Sequence, residues 1–114
     1  MKKNKLLLAS AIVISLLTPM SQVKADWKRD NVGWWYSLNN GSYYKNTGAY
    51  IDGKWYRFDD RGYMMTGWLK SPYSGKWYWL SKEDGSNLGK MLTSQWVDNN
   101  RYFVDNSGVW TQSR

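Results

Sequence analysis

The run Asp52-Gly53-Lys54-Trp55-Tyr56-Arg57-Phe58-Asp59-Asp60-Arg61-Gly62 decides how the rest of the chain is read. In Trp55-Tyr56-Arg57-Phe58, successive side chains of an extended segment point to opposite faces. Tyr56 and Phe58 therefore share one face, and Trp55 and Arg57 the other. One face packs and the other is presented. The following Asp59-Asp60-Arg61-Gly62 combines side chains that hydrogen-bond their own backbone with a glycine free to take positive φ, which is reversal chemistry.

The same order recurs along the chain. Trp35-Tyr36-Ser37-Leu38 is followed by Asn39-Asn40-Gly41, Trp77-Tyr78-Trp79-Leu80 by a polar stretch reaching Gly85, and Arg101-Tyr102-Phe103-Val104 by Asp105-Asn106-Ser107-Gly108. Successive starts lie 20, 22 and 24 residues apart, the range in which self-similarity signals stacked supersecondary units. A single hairpin cannot bury an aromatic face alone, so the units must stack. The expectation is an all-β chain: a short β-solenoid of hairpin repeats of about 20 residues, with roughly four units.

Composition agrees. All 20 aromatic residues and all ten glycines lie in residues 26–114, against 14 Ala, Val, Ile, Leu and Met in the same stretch. That balance disfavours a helical bundle and favours pleated surfaces with tight turns. The chain has no Cys and no His, which removes disulfide staples, thiol nucleophiles, thiolate metal sites and the usual general base. The adjacent carboxylates Asp59-Asp60 and Glu83-Asp84 both fall at the repeated turn, so they read as turn residues rather than a glycosidase pair. No enzyme is expected, and neither a metal nor a cofactor.

The N-terminus reads as an address label. Lys2, Lys3 and Lys5 precede the 12-residue apolar run Leu6 to Leu17, too short to span a bilayer, and Val23-Lys24-Ala25 offers a cleavage site before Asp26. Residues 1–25 are thus expected to be a signal peptide, 26–31 a lead-in and 32–114 the repeat module. Removing the peptide lowers the formal net charge from +7 to +3, with the basic residues scattered singly. Nothing in that pattern points to nucleic acid, and no membrane insertion is expected after cleavage.

Four strings carry a resemblance: Val32-Gly33-Trp34-Trp35-Tyr36, then Gly41-Ser42-Tyr43, then Asp52 through Met64, then Thr66-Gly67-Trp68. The order Gly-Lys-Trp-Tyr, Asp-turn-Gly, Met, Thr-Gly-Trp resembles the choline-binding (cell-wall-binding) repeats of Gram-positive surface proteins over about residues 32–110. The resemblance implies a solenoid that holds choline between consecutive hairpins. It also implies a secreted chain retained at the cell wall by the choline or phosphocholine of teichoic and lipoteichoic acids. A quaternary ammonium has no proton to donate, so a cage of aromatic faces is the chemistry that recognises it. Carried over, the best cage comprises Trp55, Trp77 and Met64, with Tyr50 in place of the ring missing at Gly48. A second uses Trp68 and Trp77 with a residue near Met91 or Leu92, Tyr102 or Phe103 standing in where the leading position is Arg101. A third, N-terminal, uses Trp35 and Trp55 with Tyr43. Trp110 is assigned to a terminal cap. Two other readings stay open: an α-glucan-binding repeat module, and a structural or protein-interaction module with degraded cages and possible self-association.

Overall fold

The computed structural model describes residues 24–114; residues 1–23, which carry most of the expected signal peptide, lie outside the described residues. The described chain is all-β, with strands β1 (Asp26–Arg29), β2 (Trp34–Ser37), β3 (Thr47–Ile51), β4 (Lys54–Phe58), β5 (Gly67–Lys70), β6 (Trp77–Leu80), β7 (Gln95–Val97), β8 (Tyr102–Val104) and β9 (Trp110–Ser113). They form antiparallel hairpins β1-β2, β3-β4 and β5-β6, followed by a three-stranded sheet β7-β8-β9. The residues read as a lead-in supply β1, which pairs Asp26 with Ser37 and Arg29 with Trp34.

The tight reversal of the second hairpin is Asp52-Gly53, between the paired residues Ile51 and Lys54. Both have positive φ, 50° and 81°, as a two-residue turn matching the strand twist requires. Asp59–Gly62 makes a second reversal, from β4 into the connector. The Asp59 amide donates to the Tyr63 carbonyl at 2.8 Å. Its carboxylate Oδ1 accepts from the amides of Arg61 and Tyr63, both at 2.9 Å. Asp105 repeats this arrangement with Ser107 and Val109, again at 2.9 Å. Both carboxylates that recur in the repeat are thus occupied by turn geometry.

These bonds fix which residues are equivalent between units. The amide-to-carbonyl pairs Leu38–Ser42, Asp59–Tyr63, Ser81–Lys90 and Asp105–Val109 all span 2.8–2.9 Å, and the residue before each donor bridges Tyr43, Met64, Met91 and Trp110 respectively. Two sequence readings change as a result. The leading aromatic of the first unit is Trp34, in register with Trp55, Trp77 and Arg101, while Trp35 is in register with Tyr56. In the third turn Gly89, whose amide donates to Ser81 at 2.8 Å, takes the role of Gly62, and Gly85 does not. That turn is five residues longer than the others.

Backbone bonds also link each unit to the next. The Met64 amide reaches back to the Trp34 carbonyl at 2.7 Å and the Met91 amide to the Trp55 carbonyl at 2.9 Å. Tyr78 and Val109 form the corresponding antiparallel bridge. Beneath these links lie two cores. Ala49, Ile51, Tyr56 and Phe58 form one, with Trp27, Tyr36, Tyr44 and Met64 against it. Trp79, Val97 and Val104 form the other, with Trp68, Leu92 and Tyr102 packed on them. Phe58 and Val104 are fully buried, as the alternation of the repeat predicts; Trp79, on the presented face by that alternation, is buried too.

Candidate functional site

The unit-to-unit links bring four equivalent positions together between neighbouring units, and three hollows result. The first is lined by Trp27, Trp34, Tyr56 and Met64, the second by Gly48, Trp55, Tyr78 and Met91, and the third by Trp68, Trp77, Tyr102 and Trp110. Position by position the sets match. Each takes the second residue of a hairpin's first strand and the leading aromatic of its second strand. The next unit adds the tyrosine after its leading position and the residue that ends its turn.

All four residues that line the third hollow are aromatic, and it measures about 280 Å³. Trp68 is its hub: its ring centroid lies 6.4 Å from Trp77, 5.3 Å from Tyr102 and 6.4 Å from Trp110, with interplanar angles of 88°, 88° and 67°. Tyr102 and Trp110 close the figure at 6.2 Å and 79°. The rings pack edge to face and do not make a coplanar platform. The Trp68 indole Nε1 donates to Asp98 Oδ2 at 3.1 Å, which fixes the orientation of the hub. Trp110 is held by its own Nε1, which donates to the Gln112 carbonyl at 3.0 Å. Arg101 does not line this hollow; its guanidinium lies 5.7 Å from the Tyr102 centroid.

The first hollow, about 220 Å³, substitutes a thioether for the fourth ring and adds Gly85, Ser86 and Leu88 to its wall. Burial raises the pKa of Tyr56, with the nearby charge of Asp52 acting in the same direction, so this wall stays a neutral phenol at ordinary pH. In the second hollow, about 360 Å³, Gly48 leaves a ring out and Pro72 and Tyr73 border the space. Trp55 there is 49% exposed and pairs across the hairpin with Tyr50, their ring centroids 5.2 Å apart.

The residues expected to meet are therefore redistributed. Trp68, Trp77 and Tyr102 come together as expected for the second cage, but Met91 does not join them and Trp110 does. Trp55, Trp77 and Met64 each line a different hollow. Tyr50 contacts Trp55 from the strand opposite rather than lining its hollow. Trp35 stands edge-on to Tyr63 at 6.4 Å, and Tyr43 covers Gly62. Sequence reading missed Trp27, Trp34 and Trp110 as wall residues. The turn-to-aromatic spacing held the missing signal, since Trp110 lies six residues after Val104 as Met64 does after Phe58.

Known proteins with related sequences or folds carry the same kind of unit. Residues 47–96 match the choline-binding repeat model. The lysin of Pneumococcus phage Dp-1 is 42% identical over 53 residues, covering 44% of this chain and 18% of the lysin. The multimodular pneumococcal cell-wall endolysin of phage Cp-1, solved in complex with choline, superposes with a TM-score of 0.65 at 36% identity, over 86% of this chain and 27% of the endolysin. Choline-binding protein F of Streptococcus pneumoniae, solved in the presence of a peptidoglycan analogue, gives 0.63 at 31% identity, over 82% and 29%. The chain thus spans less than a third of the length of these relatives.

Proposed function

Residues 47–96 are choline-binding repeats, homologous to those of the phage lysins and the pneumococcal choline-binding proteins, and on that premise we propose that this protein is a non-catalytic cell-wall-binding module. Its hairpins stack as a short β-solenoid, and it is exported by the signal peptide of residues 1–25. At the cell surface it holds the choline of teichoic or lipoteichoic acid. The third hollow is the principal site, with Trp68, Trp77, Tyr102 and Trp110 as its cage.

The observation that carries this reading is the geometry around Trp68. Four aromatic side chains border one hollow there, and a cation held within about 6 Å of an aromatic face gains ~0.5–2 kcal/mol per ring. A row of sugar rings would instead need a flat stacking surface, so rings set at steep angles to one another favour choline over α-glucan. One site of this kind is weak, and multivalent attachment to a polymer bearing many cholines converts weak sites into retention.

The test is a titration of the purified protein with choline chloride, followed by near-UV circular dichroism and tryptophan fluorescence. Sodium chloride and maltose at the same concentrations serve as controls. A saturable response to choline alone supports the reading; a folded protein that ignores choline defeats it.

A further inference from the structure

In the first, third and fourth hairpins one cross-strand position pairs two aromatic rings edge to face: Trp27 with Tyr36, Trp68 with Trp79, and Trp96 with Phe103. Their centroids lie 5.1, 5.1 and 5.4 Å apart. In the second hairpin the same pair is Gly48 and Arg57. Both rings are gone, and a cation stands where the other units set an aromatic side chain. The backbone does not demand the glycine. Gly48 has no left-handed φ, and a Cβ there would meet only an ordinary contact, 3.6 Å from the Tyr56 carbonyl oxygen. What the glycine provides is space across from the guanidinium.

The two residues meet in the second hollow, at about 360 Å³ the largest of the three. Arg57 is half-buried, and it is the only charged residue among those lining the three hollows. No acidic residue lines the second hollow, so its wall carries a net positive charge. The hydroxyls of Ser71 and Ser107 share that wall. Ser71 Oγ accepts from the amides of Tyr73 and Ser74, each at 3.2 Å, and a hydroxyl so used still has its own proton to give.

A bare trimethylammonium group in this hollow meets the like charge of Arg57, which disfavours it. A phosphate carried by the same ligand turns that charge into an attraction. The planar guanidinium fork suits phosphate oxygens, and charge-assisted bonds are roughly twice as strong as neutral ones. Trp55 and Arg57 lie two residues apart on one face of β4, so their Cα atoms stand about 7 Å apart. The two-carbon link of phosphocholine sets its opposite charges a comparable distance apart.

We propose that the second hollow is a phosphocholine site, in which Trp55, Tyr78 and Met91 receive the trimethylammonium group while Arg57 and the Ser71 hydroxyl hold the phosphate. The third hollow, whose hub Trp68 is bonded to the Asp98 carboxylate, takes the free cation instead. Arg57 is then the residue that determines which form of the ligand each hollow prefers. This inference rests on the choline reading above and adds the phosphate to it.

A Trp34→Ala/Trp77→Ala background removes one wall from each of the other two hollows. Calorimetric titration there is expected to show phosphocholine binding about tenfold more tightly than choline. Arg57→Gln in the same background should bring phosphocholine down to the level of choline without weakening choline. A second measurement uses the unaltered protein. Modification of Arg57 by phenylglyoxal, read by peptide mapping, is expected to slow several-fold in phosphocholine and to stay unchanged in choline or inorganic phosphate at the same concentration.

Equal affinities for the two ligands in the background overturn the proposal, as does a preference that survives Arg57→Gln or a failure of phosphocholine to protect Arg57. Equal protection by inorganic phosphate overturns it too, since the hollow would then be a bare anion site. Should the background fail to fold, the protection of Arg57 in the unaltered protein decides alone. A protein that responds to choline but shows no preference at the second hollow loses only this proposal; one that ignores both ligands defeats the choline reading as well.

Discussion

The first and third hollows begin from the same ingredients and end differently. Each sets a strand tryptophan against the leading tryptophan of the facing strand and adds a tyrosine from the next unit. In the third, Trp110 supplies the fourth wall. In the first, Met64 takes that place and a lengthened turn leans in. Equivalent positions of the repeat thus build different hollows according to what the neighbouring units contribute. Each of these hollows forms where two units meet, and the turn of a third unit borders the first and the second.

The largest effect that separates the two ends concerns stability. Phe58 is fully buried in the core beneath the first hollow, and Phe58→Ala is expected to cost about 3–5 kcal/mol. Val104, equally buried in the other core, loses far less area in Val104→Ala. Chemical denaturation of the two variants checks the order, and an equal loss would mean that the cores do not differ in what they carry.

Next comes ligand affinity. Trp77→Ala and Trp110→Ala each remove one face of the third cage and are expected to weaken choline binding by about tenfold, from ~0.5–2 kcal/mol per ring. Trp34→Ala, at the position matching Trp77, should leave it unchanged within error. Calorimetric titration of the three variants makes the comparison, and a large effect at Trp34 would show the first hollow to be in use.

Gly89→Ala probes the packing between units. The residue has a φ of +80°, and a Cβ there would overlap the Met64 thioether. The left-handed backbone alone costs about 1–2 kcal/mol for a residue with a Cβ. Thermal unfolding should register that loss plus the displacement of Met64. Gly85→Ala, with a φ of +95° but no atom near its Cβ, isolates the backbone share.

The smallest expected effect is electrostatic and confined to the first half of the molecule. The Tyr63 hydroxyl donates to Asp30 Oδ2 at 2.8 Å, tying the first hairpin loop to the second turn. That bond, helped by the Val32 amide, holds the Asp30 pKa below its ordinary value, and the same bond raises that of Tyr63. Because the folded carboxylate has the lower pKa, its stabilisation is fully present above the unfolded value of about 4 and is lost as pH falls through the folded one. Hydrogen exchange between pH 5 and pH 2.5 should show the first two units loosening ahead of the last two, and Asp30→Asn should abolish that difference.

How far the chain could be read without its fold is clearest at Trp34-Trp35. A strand repeats every two residues, so a one-residue shift moves every side chain to the other face. Two adjacent tryptophans satisfy either register, and the turn bonds Leu38–Ser42 and Asp59–Tyr63, with that from Met64 to the Trp34 carbonyl, settle which is in phase with Trp55. The cage membership was illegible for a related reason. Met64 is close in sequence to Trp55 and Trp68, but its backbone is bonded to the unit before, so it serves the first hollow. Gly85 looked like a turn-closing glycine because it follows an acidic pair, and the bond that marks the closing residue belongs to Gly89.

What the amino-acid sequence determined by itself is the unit: alternating packed and presented aromatics, Asp-centred turns whose side chains satisfy their own backbone, and a spacing that makes a hairpin the smallest repeating piece. Those are local matters, decided by side-chain periodicity and turn chemistry within a few residues. Tertiary structure decided which rings line each hollow and which hollows a later turn borders. These depend on how each connector returns to the preceding unit and on the length of a turn two units away, contacts that no local pattern contains.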